Sequence, residues 1–327
     1  MSTIYEKSIV FINDWKESNE KINNNKISVV IPAYHPRYLK KVLDHLSKLN
    51  SVYEAIIVFD SYDDDPNLVI DNYSFKLIVL QHDHNRNAPS ARNTGAAFAT
   101  GDIILFLDQD MILSPKFIPN ALKLLEANNN KAIILGLRET VEVERVSTLE
   151  NWKESNYYKD WRVSTCVNDN FLDLTVSNSG SSSNNCINGE VLNLLKQTNQ
   201  FRKLGIKKEL TVGFWDLASM VVSHTLAIPK NELFNIGGFP EWIVGWGGED
   251  IALGFLAISK HLFIIPTEVG SYHIKHAPHS GSEERKWNEM KKNLKKYKIW
   301  ATTINSYPTL SPKELKQRAK VIYESAI

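Results

Sequence analysis

Apolar positions along the chain fall into two kinds of run. Residues 27–33 (ISVVIPA), 54–60 (EAIIVFD), 76–81 (KLIVLQ) and 102–107 (DIILFL) are nearly continuous and rich in β-branched side chains. Such runs mark strands buried on both faces of a parallel sheet rather than half-exposed, alternating ones. Between them the spacing changes to three and four. After Pro36, residues Leu39, Val42, Leu43, Leu46 and Leu49 share one helical face, and 88–100 (APSARNTGAAFAT) reads as a small-residue helix closed by Gly101. The alternation predicts an α/β fold: a doubly wound, mostly parallel sheet with helices on both faces and a ligand site outside the carboxyl ends of its strands. Asp60 and Asp108 stand at such ends.

Beyond Arg138 the regularity breaks. Residues 176–185 (VSNSGSSSNN) bury no apolar surface and are expected to be a lid or a surface loop. Residues 228–238 read as a short helix stopped by paired glycines, 248–261 as a second helix with acids first and Lys260 and His261 last, and 262–266 as a strand. In the tail, Trp287, Met290, Leu294, Tyr297 and Trp300 form a stripe at three-four spacing, with Lys291, Lys292, Lys295, Lys296 and Lys298 opposite. This pattern favours a helix packed on the domain over one lying on anionic lipid. The first residues end in a polar run, 23–26 (NNNK), after a short helical extension. The chain thus divides into an N-terminal extension (1–26), a regular half (27–138), a less regular half (139–280) and a basic helical tail (281–327). WKESN occurs at 15–19 and 152–156 without a sustained period, so it is no repeat.

Composition narrows the classes. Thirty-eight Lys+Arg against thirty-seven Asp+Glu leave +1, too little for a global field that would drive binding to nucleic acid. Two cysteines, Cys166 and Cys186, exclude a disulfide framework and a four-cysteine zinc site. With neither a cleavable leader pattern nor a run of about 18 apolar residues, the expected place is the cytoplasm, with membrane contact at most peripheral, at the inner face, through the basic tail. The phosphate loop G-x-x-x-x-G-K-[ST], the G-x-G-x-x-G turn, the G-x-S-x-G elbow and H-E-x-x-H are all absent, which weakens ATPase, dehydrogenase and hydrolase readings.

What chemistry remains gathers on carboxylates. Asp108 and Asp110 end a very apolar strand, and side chains one residue apart on an extended strand point the same way, able to share a cation or a cation and a ribose. Such a pair is often only a turn. Its context is longer: FLDQD follows ARNTGAAFATGD, and residues 91–110 resemble the A-R-N-x-G…A-x-G-D…F-L-D-x-D signature of family 2 glycosyltransferases of the GT-A fold. VVIPAY at 29–34 and Asp60 are similar to that family's nucleotide-binding half, although its usual D-D-G-S is here Asp60, Ser61, Tyr62 and Asp63. The resemblance implies that Pro32, Tyr34, Asp60, Arg92 and Asp108 bind a sugar nucleotide.

A second stretch, IGGFP at 236–240 and GWGGED at 245–250, resembles the C-terminal module of galactosyltransferases and chondroitin-polymerase-like enzymes, so the likeness spans roughly 27–280. It implies that Glu249 contacts the acceptor, that Asp250 is the base of an inverting reaction, and that Trp246 and Gly247, with Trp215 as a weaker candidate, contact the acceptor sugar. Standing between two glycines, Trp246 is expected to be partly exposed and able to stack on a sugar. The plain alternative for Glu249 and Asp250 is a pair of first-turn acids favoured by the helix dipole by a few tenths to about 1 kcal/mol. That dipole would also lower the basicity of Asp250, making it a late proton acceptor. GT-A enzymes complete a metal shell with a histidine near SYHIKH, which implies Asp110, Asp108 and His273 as ligands, with His276 as the alternative to His273. That donor set suits Mn²⁺ before Mg²⁺. His82 and His84 read as surface residues.

Together the resemblances imply metal-dependent, inverting transfer of a hexose or N-acetylhexosamine from a UDP-sugar to a hydroxyl of a glycan, a lipid-linked sugar or a peptide. Two other classes compete. A sugar nucleotidyltransferase would need a glycine-rich loop where PAYHP follows Ile31, and a non-catalytic carbohydrate-binding protein would need Trp246 but not the full set of acids and imidazole. Donor sugar and acceptor depend on pocket shape, which composition and spacing do not carry.

Overall fold

A computed structural model describes residues 26–61, 63–146, 160, 221–260, 262–277, 282–303 and 311–325. The expectations for the N-terminal extension up to residue 25, the Ser/Asn-rich segment, both copies of WKESN, and Trp215 lie outside the described residues. Among the described residues, nine strands form one sheet: β1 (Ile27–Ala33), β2 (Glu54–Phe59), β3 (Lys76–His82), β4 (Ile103–Leu107), β5 (Met111–Leu113), β6 (Ala132–Val141), β7 (Thr225–Pro229), β8 (Phe263–Ile274) and β9 (Ala319–Glu324). Their spatial order is 5-8-6-7-4-1-2-3-9. Six strands run one way and β5, β7 and β9 run against them. The helices are α1 (Leu39–Leu46), α2 (Asn87–Phe98), α3 (Phe117–Ala127), α4 (Val143–Val146), α5 (Lys230–Ile236), α6 (Glu249–Ser259), α7 (Glu283–Thr303) and α8 (Pro312–Lys316).

The continuous apolar runs are explained by burial on both faces. Val29 and Ile31 of β1 join a cluster with Leu39, Val42, Leu43 and Leu46 of α1 and with Phe117 of α3. Val30, between them, points into a second cluster with Ala91 and Ala96 of α2, Leu233 of α5 and Leu253 of α6. Each large aliphatic side chain so buried contributes about 1.5–3 kcal/mol over leaving it in water. The small residues of α2 let it sit close to the sheet: a Cβ on Gly95 would come within 2.4 Å of Val30 Cγ1 and 3.2 Å of Val58 Cγ2. The doubly wound α/β expectation holds.

Four local expectations need correction. The chain does not stay extended through Asp110; it turns after β4, with Met111 N donating to Asp108 O at 3.1 Å, and resumes as β5. Residues 228 and 229 close strand β7 instead of opening a helix, and α5 begins at Lys230. The strand expected at 262–266 continues to Ile274, because β6 pairs with it at 263–267 and, after an irregularity, at 271–274, where β5 pairs on its other side at 271–273. The tail is not helical throughout: β9 adds antiparallel to the edge strand β3, where Ile322 and Tyr323 pack on the first cluster. Its short AKVIYE run is hidden within a lysine-rich composition. Within α7, Met290 and Leu294 pack against the second cluster. Among the described residues, no helix is long and apolar enough to cross a membrane.

Candidate active site

Pairing of β5 with β8 builds the first half of the site. Ile274 N donates to Asp110 O at 2.9 Å, and Met111 stands opposite His273, so the end of β8 lies alongside the turn that carries Asp110. Asp110 Oδ2 is 2.6 Å from His276 Nε2 and 3.5 Å from His273 Nε2, and ligand atoms of all three lie within 4.8 Å of one another. Burial pushes the Asp110 carboxyl up, but the hydrogen bonds and charges of His273 and His276 outweigh it and hold the group well below the usual carboxylate range. The same hydrogen bond raises His276. His276 Nδ1 is 2.8 Å from Ala277 O and can donate there, while Nε2 donates to Asp110. Once Nε2 gives up its proton it offers a lone pair to a cation, and one carboxylate with two imidazoles suits a borderline divalent ion such as Mn²⁺.

The resemblance put His273 ahead of His276; in the fold both face Asp110, and His276 is the nearer. Asp108 is not in this group. Its Oδ1 lies 2.9 Å from Arg92 Nη2, because the turn at 108–110 sends the two carboxylates to different partners.

Arg92 organises the second half. Its guanidinium, on α2, is almost sealed from solvent and reaches Asp108 through Nη2 and Glu249 Oε1 through Nη1 at 3.4 Å. Burial works against the Arg92 charge, yet Asp108, Asp250 and Glu249 together raise it further. Three carboxylates share one cation in a low-dielectric setting. Burial, then the charge of Asp250, pushes Glu249 up to about 7 against the pull of Arg92. Burial likewise raises Asp250; Arg92 and Ser223 oppose the rise and Asp108 adds to it. The expectation of an Asp250 with lowered basicity is therefore overturned, because burial and neighbouring acids outweigh the N-terminal dipole of α6. Asp250 Oδ1, Glu249 Oε2 and Arg92 Nε are buried with no hydrogen-bond partner among the described residues.

The residues expected at the nucleotide are spread differently. Pro32 lies within β1, and Tyr34 is exposed just past its end, with its backbone N and O paired to the side-chain amide of Gln109 at 2.9 and 3.0 Å. Asp60 turns inward: its Oδ1 accepts from Arg86 N at 2.8 Å and lies 2.7 Å from His82 Nδ1, while His82 Nε2 is 3.0 Å from Thr94 Oγ1. His82 is buried, not a surface residue. Its place at the end of an apolar strand, level with Asp60 at the end of the next, was the signal available for finding it. His84 is exposed beside Asp83.

The loop at 245–248 depends on glycine. Gly245, Gly247 and Gly248 have φ of 88°, 79° and 100°, which other residues adopt only with strain. Trp246 between them is 40% exposed. From α7, Glu289 Oε2 accepts from Trp246 N at 3.0 Å, and Asn293 Nδ2 donates to Val244 O, Trp246 O and Gly247 O at 3.2, 3.3 and 2.9 Å. Neither α7 residue stood out in the sequence, since both look like ordinary polar positions of a charged helix.

Residues 28–172 match the model of the family described as glycosyl transferase family 2. Over that stretch the chain resembles family 2 glycosyltransferases. It is 23% identical over 306 residues, 88% of the chain and 62% of the relative, to validoxylamine A glucosyltransferase of Streptomyces hygroscopicus subsp. jinggangensis. It is 24% identical over 279 residues, 80% of the chain and 27% of the relative, to chondroitin synthase of Pasteurella multocida. The chain spans between 36% and 62% of the length of the first curated relatives it matches. Among solved structures, S. aureus TarS 1-349 in complex with UDP-GlcNAc superposes with a TM-score of 0.51 at 15% identity, over 89% of this chain and 70% of that one. Mannosyltransferase PcManGT from Pyrobaculum calidifontis in complex with GDP-Man and Mn²⁺ does so at 0.53 and 15% identity, over 95% and 74%. The chain has the GT-A fold these neighbours share.

Proposed function

We propose that this protein is a metal-dependent, inverting glycosyltransferase that moves a hexose or N-acetylhexosamine from a UDP-sugar to a hydroxyl of a glycan, lipid-linked sugar or peptide. The observation that carries the reading is Asp250: a carboxylate of raised basicity, with one buried oxygen free of partners among the described residues, joined through Arg92 to the turn that holds Asp110 and its two imidazoles. TarS, solved with UDP-GlcNAc, and the mannosyltransferase, solved with GDP-Man and Mn²⁺, support a sugar nucleotide and a manganese ion.

Asp110, His273 and His276 hold the cation, Mn²⁺ in preference to Mg²⁺. Bound there, a cation would supply the positive charge that offsets the departing diphosphate. Arg92 fixes Asp108, which contacts the ribose, while Tyr34 and Pro32 lie beside the nucleotide. Asp60 acts from behind, holding β2, β3 and α2 together through His82. Asp250 takes the proton of the attacking hydroxyl; its raised value makes it a stronger base than a solvated aspartate. Attack opposite to the leaving group inverts the anomeric carbon. Glu249 and Trp246 hold the acceptor, the first through its upward-shifted carboxyl and the second by stacking.

UDP release from a panel of UDP-sugars, with Mn²⁺ and with chelator, tests the reading. Chelator-sensitive release from one sugar is expected. If no donor gives release or binding with metal present, the metal assignment falls and a carbohydrate-binding protein becomes the better account.

A further inference from the structure

Trp246 and Trp287 come from separate segments, the glycine loop and the first turns of α7. Their ring centroids nevertheless lie 5.9 Å apart with planes at 77°, and both indoles stay open, at 40% and 45% exposure. Two large apolar rings left in water at nearly a right angle form a corner with no packing role that would explain their exposure. The corner is held rigidly. Glu289 and Asn293, which pin the backbone of Trp246, belong to the same helix as Trp287, and Asn293 is 1% exposed. A Cβ on Gly247 would meet Met290 Cγ at 3.2 Å, so the loop lies directly on α7. Both rings therefore take their positions from one helix, and a ligand meets them already ordered.

The rim is polar. Lys286 Nζ stands 5.5 Å over the Trp246 ring. Along the adjoining face of α7 runs a groove of about 400 Å³ lined by Ser282, Glu284, Arg285, Asn288, Glu289 and Lys292. Aromatic faces bordered by hydrogen-bonding groups suit a pyranose, which has apolar C–H faces and hydroxyl edges. Trp246 lies three residues before Glu249 and four before Asp250 in the chain.

We propose that the Trp246–Trp287 corner is a saccharide subsite for the second ring of an oligosaccharide acceptor, one sugar back from the reacting hydroxyl. Its place in the acceptor rests on the glycosyl-transfer reading; the ring-binding corner itself rests on the two indoles. The site makes the protein prefer an oligosaccharide to the matching monosaccharide.

An array of immobilised mono- to tetrasaccharides of hexoses, N-acetylhexosamines and hexuronates, probed with the full chain in UDP and Mn²⁺, tests this. UDP binding by the wild type is measured separately by calorimetry. Oligosaccharides should be retained about tenfold more strongly than matching monosaccharides, a difference that one aromatic stacking contact supplies. Trp287→Ala should bring the two to the same level, and Trp287→Phe should keep most of the difference. Should alanine lower the melting temperature, Trp287→Gln removes the ring while keeping a helix-favouring side chain. Unchanged oligosaccharide retention in a folded Trp287 variant without the ring would overturn the subsite, as would a wild type that binds UDP and retains no saccharide. Trp287-dependent retention by a wild type that binds no UDP would uphold the subsite and remove glycosyl transfer instead.

Discussion

Asp108 and Asp110 are the same residue type, two positions apart, yet they belong to groups that treat charge in opposite ways. Around Asp110 one carboxylate meets two imidazoles, and histidine contacts keep it ionised against the cost of burial. Around Asp108 three carboxylates meet one guanidinium, and the surplus is relieved by pushing Glu249 and Asp250 upward. The first arrangement favours the ionised carboxylate, as a cation site would need. The second stores a proton acceptor. Partner identity, rather than depth of burial, separates them.

The strongest way to break this contrast is Asp250→Asn. If the Arg92 group exists to supply a base, turnover should fall by about 10²- to 10⁴-fold while UDP affinity stays nearly intact, measured by initial rates and calorimetry. Weakened UDP binding with preserved turnover would assign Asp250 to the wrong group. Next in size, Asp110→Asn should weaken Mn²⁺-dependent UDP binding by at least the 10- to 100-fold known for weaker perturbations of metal sites, and His276→Ala should match it. Binding that ignores Mn²⁺ in the wild type would remove the cation from the first group.

The pH dependence sharpens the comparison. The rate of transfer should rise with pH along a limb lying above the ordinary aspartate range, because burial raises Asp250 and the base must lose its proton. Glu249→Gln removes one negative neighbour and should move that limb to lower pH; a limb that does not move would mean the two acids are not coupled. Smallest are the effects on stability, where the two groups should have opposite signs. Glu249 has a folded value above its ordinary one, so its contribution is present below about 4.5 and is lost as pH rises toward about 7. Asp110 is depressed, so its contribution is present above the ordinary carboxylate value and is lost as pH falls below it. Melting temperatures of wild type against Glu249→Gln should draw apart in one direction across pH 4.5–7, and against Asp110→Asn in the other across lower pH, by roughly a few degrees.

Much of the scaffold was legible from local pattern. The β-branched runs announced β1 to β4 because a strand buried on both faces has no polar side to show, and the three-four spacing announced α1 and the packing of Met290 and Leu294 on α7, though not the exposure of Trp287. The glycines around Trp246 foretold an exposed indole, since positive φ and missing side chains are properties of the residues themselves. The turn at 108–110 was missed because an extended strand end and a tight turn can share the same letters. β9 was missed because six edge residues within a lysine-rich tail carry too little hydrophobic signal to stand out.

The chain by itself thus determined which residues could do chemistry and which strand ends they stand on. Only the tertiary structure decided what each one does. Arg92 and Glu249 are 157 residues apart and Asp110 and His276 are 166 apart. Whether a carboxylate is held ionised or pushed toward its proton depends on such neighbours through distance and dielectric. Those quantities exist only after the sheet has brought its strand ends together.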